Sequence, residues 1–251
     1  MKFDQITDIR AIEILDNRGN PTIRSYVTID NRFVGVADVP SGSSTGSFEA
    51  KELRDGEKRY NGMGVKTAIG HIVNIIKPAL INVHGADQRN VDHLLNELDG
   101  TEDKSRLGAN AILAVSMAVA KAAAKACRLP LYRYLNAGAH VLPVPQACLI
   151  NGGLHAGNDL DIQEYCVMPV GATSFTHAVQ ILSEIFRELG EILLHSMGKN
   201  ATNSSEDGGF APPLDNSFAA MEILQQAVIN CGYEKEVEFG LDLAASGLLN
   251  D

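Results

Sequence analysis

The alternation of apolar and polar residues predicts three β-strands at the start of the chain, over Ile6–Leu15, Thr22–Ile29 and Arg32–Val39. In the second run, one set of alternate positions is mostly apolar and the other is mostly polar, which is typical of a half-buried strand. Turn-forming residues separate the runs, at Asp16–Pro21 and at Asp30–Asn31. The pattern therefore predicts a three-stranded antiparallel meander.

After these strands, apolar residues recur every three to four positions, which is the spacing of one helix face. The first such stretch, Val65–Ile76, is expected to end at Pro78 because proline interrupts a helix. An earlier segment, Phe48–Asp55, has an acidic residue near its start, as helix N-termini favour, and we predict a helix there too. Further helices are predicted over Gln88–Leu98, Gly108–Cys127, Phe175–Met197 and Ser217–Asn230.

Two apolar runs on either side of a glycine-rich loop predict buried strands in the second half of the chain. The first run leads into Asn151–Asn158, which presents His155, and the second opens with Gln163 and Glu164. A last strand, Val237–Asp242, ends on a carboxylate. Because glycine lets such a loop turn sharply, polar groups at the strand ends beside it form a candidate reaction site. The alternative is a plain connection between two strands with an incidental histidine.

The overall composition, 45% hydrophobic and 21% charged, is that of a globular protein with a substantial core. A formal net charge of −10 argues against binding to nucleic acid or to an anionic membrane. The start of the chain lacks the apolar segment of a signal peptide. The apolar tract Ala109–Ala126 carries two lysines and is too rich in alanine for a membrane span. We therefore expect a cytoplasmic protein.

The four cysteines are widely spaced along the chain and form no C-x-x-C pair. This spacing predicts small buried apolar residues in a reducing compartment, not a disulfide framework or a zinc site. The residues concerned are Cys127, Cys148, Cys166 and Cys231.

Two further loops are rich in small residues. Pro40–Ser47 precedes a predicted helix and could bind an anion or offer oxygen atoms to a metal, although such a loop could also be a flexible connection. It lacks the Gly-Lys-Ser/Thr ending of a nucleotide-binding P-loop, so we reject that interpretation. The second loop, Asn203–Pro212, carries Glu206 and Asp207 before two glycines.

Seven separated motifs, in the same order, resemble those of the enolase family, and together they extend over essentially the whole chain. The resemblance implies an α+β N-terminal domain, a three-stranded antiparallel meander with helices, over residues 1–138. An incomplete enolase-type α/β barrel would follow over residues 139–251 and reach its third strand. The matching motifs are Leu15–Thr22, Pro40–Gly46 together with Glu49–Ala50 and Glu52–Asp55, Leu107–Ala111, Asn151–Asn158, Gln163–Tyr165, Gly208–Pro212 and Leu241–Ser246.

The resemblance also implies an activity, the magnesium-dependent dehydration of 2-phosphoglycerate to phosphoenolpyruvate in glycolysis and gluconeogenesis. Removal of a proton next to a carboxylate creates an enolate-like intermediate, and enolase-superfamily sites stabilise it with Mg²⁺ beside a base. By resemblance, Asp242 is the first of three carboxylates on one Mg²⁺, and Ser44 helps to hold a second. The alternatives are that Asp242 is an ordinary strand-end carboxylate and that Ser44 belongs to a linker.

Four further residues receive roles from the same resemblance. His155 would approach the substrate phosphate, Gln163 would contact the substrate, and Glu164 would lie near the leaving hydroxyl. Asp207 would support departure of that hydroxyl as a general acid. The alternative for Gln163 and Glu164 is that they are solvated strand residues.

The chain departs from the family pattern at two positions. Asp207 stands where the family has glutamate, and its shorter side chain is expected to weaken acid catalysis. Gly247 stands where another glutamate is expected. In the family, two metal carboxylates, the lysine base and a phosphate-binding arginine lie beyond the position that corresponds to residue 251. We therefore expect the 251-residue chain to be inactive when it is alone. The expected partners are the substrate and either a second copy in a homodimer or a completing C-terminal segment of a split enzyme. The alternative to a catalytic role is that of a non-catalytic binding or scaffold protein.

Overall fold

The computed structural model describes residues 4–248, so the predicted domain ends at residues 1–3 and 249–251 lie outside the described part. The described residues divide into two units. Unit 1 contains the chain up to Gly42 together with Phe48–His140, and unit 2 contains Ser43–Ser47 together with the chain from Val141 onwards. We retain the boundary between residues 138 and 139 as a proposal for the domain division.

The meander predicted for the start of the chain is confirmed. Strands β1 (Ile6–Leu15), β2 (Pro21–Ile29) and β3 (Phe33–Asp38) form one antiparallel sheet in the order β1-β2-β3. Alternate β2 residues point into the core, and Ile23, Val27 and Ile29 are fully buried there. The alternation of apolar residues therefore set which face of the sheet is covered.

Helices of unit 1 cover that face of the sheet. Their bounds are α1 (Lys66–His71), a π-helical turn (Ile72–Ile76), α2 (Lys77–Leu80), α3 (Gln88–Asp99), α4 (Ala109–Ala126) and α5 (Leu131–Leu135), with a short 3₁₀ turn at Arg59–Gly62. Helix α4 packs against β2 and β3. It can approach closely because Gly35 has no side chain: a Cβ there would lie 2.0 Å from the carbonyl oxygen of Ala118.

Helix α4 is also the one described helix whose length and apolar composition would suffice to cross a membrane. Half of that span is buried inside the protein, where Ala111, Val115 and Val119 belong to the core of unit 1. Packing against the sheet accounts for its apolar composition.

The predicted helix over Phe48–Asp55 is wrong, because this segment has no regular secondary structure. Its backbone pairs with distant parts of unit 1: the N–H of Lys51 donates to the carbonyl oxygen of Asp103 at 2.7 Å, and its carbonyl accepts from the N–H of Ala109 at 2.8 Å. The amide of Asn110 binds both backbone groups of Leu53. These contacts satisfy the groups that a helix would have paired locally.

The prediction that the helix beginning near Val65 ends at Pro78 is also wrong. The chain remains helical to Leu80, with the π-helical turn directly before Lys77 and Pro78. Proline has no N–H to donate, and the π-helical turn changes the hydrogen-bonding pattern where that donor would be needed. The helix is thereby widened locally instead of broken.

Unit 2 is built on a second antiparallel sheet. Strands β4 (Ala147–Asn151), β5 (Glu164–Met168) and β6 (Glu238–Asp242) lie in the order β4-β5-β6. The helices α6 (Phe175–Met197) and α7 (Ser217–Cys231) pack together and share a core with Ile150, Tyr165 and Val167 of the sheet. Short 3₁₀ helices occur at Gly153–His155, Lys199–Thr202 and Ala245–Leu248. The fold is thus the predicted three-stranded α+β domain followed by part of a barrel domain.

The cysteines are less uniform than predicted. Cys166 is buried, Cys148 and Cys231 are half-buried, and Cys127 is exposed. Cys127 follows the last residue of α4, where the polypeptide leaves the core, so the expectation of burial is wrong for this residue.

Candidate active site

Strand order brings three polar side chains of unit 2 to one edge of the second sheet. Strand β4 ends at Asn151, β5 begins at Glu164, and β6 ends at Asp242. Because β5 is antiparallel to both neighbours, Glu164 is the direct partner of Asn151 on one side and of Asp242 on the other. The sheet thus brings together two residues that the sequence singled out, Glu164 and Asp242.

His155 reaches this edge from the 3₁₀ turn that follows β4. Its side chain is 7% exposed, and each ring nitrogen faces another side chain. The Nε2 atom lies 2.8 Å from Oγ of Ser43, and the Nδ1 atom lies 2.5 Å from Oδ2 of Asp207. The imidazole therefore links the loop Ser43–Ser47 to the second glycine-rich loop.

Asn151 fixes the loop that carries Asp207. Its Oδ1 accepts a hydrogen bond from Oγ of Ser205 at 2.6 Å, and its Nδ2 donates to Oδ2 of Asp207 at 3.4 Å. Close packing requires the glycine at position 209, because a Cβ there would lie 2.4 Å from Oδ1 of Asn151. The Asp207 carboxylate is thus held by a buried amide on one side and by His155 on the other.

Gln163 is buried directly before β5, with 5% exposure. Within residues 4–248, its side-chain carbonyl oxygen Oε1 has no hydrogen-bond partner. Leaving a buried acceptor unpaired is costly, and proteins rarely tolerate it without a reason. A ligand that donates a hydrogen bond to this oxygen would remove that cost.

A second polar group lies behind Glu164 on the same strand. Cys166 Sγ donates to Oε2 of Glu164 at 3.7 Å, and Cys148 on β4 is the direct partner of Cys166. The interaction between the two thiols lowers the pKa of Cys166 and raises the pKa of Cys148. The carboxylate of Glu164 therefore has sulfur neighbours on one side.

Glu164 also lies near His155 and Asp207. One ring nitrogen of His155 and one carboxylate oxygen each of Glu164 and Asp207 all lie within 4.8 Å of one another. A carboxylate, an imidazole and a second carboxylate at this separation can exchange protons with a small molecule bound among them. The arrangement is suited to general acid–base chemistry.

Oxygen donors for a hard divalent cation are present, but they are few. The exposed Asp242 carboxylate accepts a hydrogen bond from the N–H of Ala244 at 2.9 Å, and Ser44 is half-buried in the Ser43–Ser47 loop. That loop approaches the segment after β6, where the N–H of Ser47 lies 3.5 Å from Oγ of Ser246. In the part of the chain that the structure describes, Asp242 joins no group of three potential ligands. The donors are right in kind for Mg²⁺ but form only part of a shell.

The structure thus brings together Glu164, His155 and Asp207 and sets Asp242 beside Glu164. Sequence reasoning did not assign roles to Ser43 or Asn151, which hold His155 and Asp207 in place. Asn151 could have been identified as a site residue from the sequence, because it is a polar residue at the end of an apolar strand and is followed by two glycines. Nothing in the local pattern distinguished Ser43 from its neighbouring serine.

Comparison with known proteins defines first a class with an α+β domain followed by a barrel. The sequence profile described as "Enolase, N-terminal domain" matches residues 6–135, and that described as "Enolase, C-terminal TIM barrel domain" matches residues 139–251. The chain belongs to the enolase family, which confirms the resemblance found in its motifs.

Curated relatives named enolase match almost all of the chain. Identity is 52% over 248 residues with the protein of Methanocaldococcus jannaschii and 50% over 250 residues with that of Pyrococcus furiosus, in each case over 98% of this chain. Identity with the protein of Desulfotalea psychrophila is 51% over 252 residues, which is 99% of this chain. The chain spans 59%, 58% and 59% of the lengths of these three relatives.

Proposed function

We propose that this chain serves the enolase reaction, a lyase step of glycolysis in which 2-phosphoglycerate loses water to form phosphoenolpyruvate. The observation that carries the proposal is the cluster of Glu164, His155 and Asp207 at the strand ends, directly after a buried Gln163 whose side-chain carbonyl oxygen is unpaired. Family membership supports it, since curated relatives at about half identity are named enolase.

In this proposal, some of the chain's residues bind the substrate and others take part in proton transfer. Gln163 Oε1 accepts a hydrogen bond from a substrate hydroxyl, which satisfies its missing partner. His155 orients the phosphate end of the substrate through the loop that carries it. Glu164 lies near the leaving hydroxyl, and Asp207 donates the proton with which that hydroxyl departs as water. The 2.5 Å contact between His155 Nδ1 and Asp207 Oδ2 holds the two side chains together before substrate arrives.

Magnesium is the cofactor in this proposal, and Asp242 and Ser44 are the residues that would hold it. Both offer oxygen, the donor that Mg²⁺ prefers, and the ion supplies positive charge to stabilise the enolate-like intermediate when it is bound. Because Mg²⁺ commonly keeps several waters and shares ligands with a phosphorylated substrate, two protein donors can contribute without completing the shell.

The proposal includes a cytoplasmic location and partners other than nucleic acid or membrane. The net charge of −10 opposes binding to polyanions and anionic lipid. We propose that the macromolecular partner is a second copy of the chain or a polypeptide that supplies the remaining barrel strands, as in a split enzyme.

The decisive experiment measures magnesium-dependent formation of phosphoenolpyruvate from 2-phosphoglycerate by the purified 251-residue chain. The assay is run with the chain alone and after mixing with a separately produced C-terminal segment of the Methanocaldococcus jannaschii relative. We expect no turnover alone and recovery of activity on mixing. Activity of the chain alone would contradict the expectation that further catalytic groups are needed. If neither sample is active although circular dichroism shows folded protein, the proposed function is wrong and a non-catalytic binding role takes its place.

A further inference from the structure

A group of sulfur atoms lies on the face of β5 behind the candidate active site. Side chains alternate along a strand, so Glu164, Cys166 and Met168 project from one face. Cys148 on β4 is the direct partner of Cys166 and faces it across the strand pair. The Sγ atoms of both cysteines and a carboxylate oxygen of Glu164 all lie within 4.8 Å of one another.

The opposite neighbour of Cys166 carries no side chain. That neighbour is Gly240 on β6. A Cβ at position 240 would lie 3.3 Å from Cε of Met168, 3.8 Å from Cβ of Cys166 and 3.9 Å from Sδ of Met168, so the Met168 side chain lies over this glycine. A flexible methionine, not a backbone group, therefore borders the thiols on the β6 side, and it can change rotamer when an ion binds.

The hydrogen bonds of the two thiols are weak and replaceable. Cys148 Sγ donates to the carbonyl oxygen of Ile150 at 3.3 Å, and Cys166 Sγ donates to Oε2 of Glu164 at 3.7 Å. A thiol is a weak donor, and a cation that displaces its proton gains a strong thiolate ligand in exchange. The loss of two weak hydrogen bonds is small compared with two metal–sulfur bonds.

The donor set selects the metal by its chemistry. Two cysteine sulfurs with one carboxylate oxygen suit Zn²⁺, which accepts three protein ligands and an open fourth position. Mg²⁺ prefers oxygen atoms alone and is not expected to compete for this set. A wide spacing of cysteines in the sequence had argued against a zinc site, but the pairing of β4 with β5 brings two of them together.

We propose that Cys148, Cys166 and Glu164 form a binding site for a thiophilic divalent cation, with Zn²⁺ as the natural representative. The site is distinct from the Asp242 and Ser44 donors but shares the carboxylate of Glu164 with the proposed catalytic cluster. Zinc bound there withdraws Glu164 from the substrate, so it inhibits turnover. The binding part stands on the geometry alone, and only the inhibition rests on the proposed function.

The first test uses the unaltered protein and compares its four cysteines with one another. The chain is treated with iodoacetamide with and without Zn²⁺, and the modification of each cysteine is followed by peptide mass spectrometry. Zinc is expected to slow alkylation of Cys148 and Cys166 by about 10-fold or more, while the exposed Cys127 reacts equally fast in both samples. Equal protection of all cysteines, or of none, would overturn the proposal.

The second test measures binding directly with Co²⁺, which gives a thiolate charge-transfer absorption in such sites. The variants Cys148→Ser, Cys166→Ser and Glu164→Gln should each weaken binding by roughly 10- to 100-fold, and the two cysteine variants should lose most of the absorption. Cys127→Ser and Cys231→Ser are the matched controls and should bind as the wild type does. Wild-type binding by Cys148→Ser and Cys166→Ser would refute the site.

Inhibition is measured separately, in whichever sample supports turnover. Zinc at a concentration that saturates the Co²⁺-competition assay should abolish most activity of the wild type, and a chelator should restore it. Cys166→Ser should resist the same zinc concentration. Binding without inhibition would refute the role of Glu164 in this proposal. Zinc binding when neither the chain alone nor the mixture with the C-terminal segment turns over would leave the metal site standing and count against the enolase function.

Discussion

Nδ1 of His155 lies 2.5 Å from Oδ2 of Asp207, so the two glycine-rich loops of unit 2 are joined through one close side-chain contact. The imidazole is almost fully buried, whereas the Asp207 side chain is 35% exposed. His155 is therefore fixed within the protein, whereas Asp207 remains accessible to solvent. In the proposed reaction, this geometry keeps the general acid pointing at the substrate.

The length of the acid side chain at position 207 should limit the rate. Replacing Asp207 with glutamate, the residue that the family pattern carries there, should raise turnover by about 10- to 100-fold because the carboxyl group reaches further. Asp207→Asn should lower turnover by roughly 10²- to 10⁴-fold because the amide cannot donate the proton in the same way. Both are measured as kcat in the sample that supports phosphoenolpyruvate formation.

The matched control for this pair of variants is Asp215→Asn, which neutralises an exposed aspartate further along the same part of the chain. It should leave kcat unchanged. If Asp207→Asn and Asp207→Glu both turn over at the wild-type rate, position 207 is not the general acid.

Because the side-chain carbonyl oxygen of Gln163 is buried and unpaired, this residue should destabilise the substrate-free protein. A hydrogen bond from the substrate should remove that penalty. Gln163→Met keeps the shape and removes the buried unpaired acceptor, so the free energy of unfolding should rise by about 1 kcal/mol. The same change should weaken binding of 2-phosphoglycerate by about 10-fold, since the hydrogen bond to substrate is lost. Urea titration and isothermal titration calorimetry measure the two effects.

Gln88 offers a contrasting control because its Oε1 is also buried and unpaired, whereas its Nε2 is hydrogen-bonded. That nitrogen donates to Oδ1 of Asp92 and to Oγ of Ser116, both at 3.0 Å. Gln88→Met should therefore destabilise the protein and leave substrate affinity unaltered. A fall in stability for Gln163→Met as well would contradict the interpretation of its carbonyl group.

Close packing of α4 on β3 should make Gly35 intolerant of any side chain. In Gly35→Ala, the new Cβ would lie 2.0 Å from the carbonyl oxygen of Ala118 and 2.4 Å from the backbone nitrogen of Ala122, so helix or strand must move. We expect the free energy of unfolding to fall by about 3 kcal/mol, measured by urea titration. Gly70→Ala is the control.

At Gly70, within α1, a Cβ would meet its nearest heavy atom, Nδ2 of Asn74, at 3.9 Å. Alanine should therefore be accommodated and should stabilise the helix by about 0.5–1 kcal/mol. Equal effects of the two glycine replacements would show that contact with α4 is not what constrains position 35.

The buried carboxylate of Asp99 should make the stability of unit 1 depend on acidity. Burial, the largest influence, raises the pKa of Asp99, but hydrogen bonds from the Thr101 side chain and from the N–H of Leu107 outweigh it and hold the pKa below its ordinary 3.8. A lowered pKa in the folded state means that the stabilisation is complete above that ordinary value. It is lost as the pH falls through the pKa of the folded protein.

The variant Asp99→Asn should therefore lower the free energy of unfolding by about 1–3 kcal/mol at neutral pH. The difference from the wild type should shrink as the pH is taken below 3.8, where the wild-type carboxylate is also protonated. Glu97→Gln, on the exposed face of the same helix, is the control and should change little at any pH. A constant difference for Asp99→Asn across the pH series would exclude ionisation as its cause.

The sequence by itself determined the elements that have a regular apolar period. Strands β1 to β3 and helix α6 lie where alternation or helical spacing predicted them, because burial on one face requires that spacing. The same sequence identified the family, since its motifs are runs of neighbouring residues. It also named most residues of the candidate site, through their positions in those motifs.

Tertiary structure decided what depends on contacts between distant residues. Phe48–Asp55 has a helix-like sequence, yet its backbone pairs with Asp103 and Ala109. The contact of His155 with Asp207 and the pairing of Cys148 with Cys166 each join separate segments, through loop packing or strand register. Such contacts leave no local period, because their free energy comes from groups that become neighbours only when the chain folds.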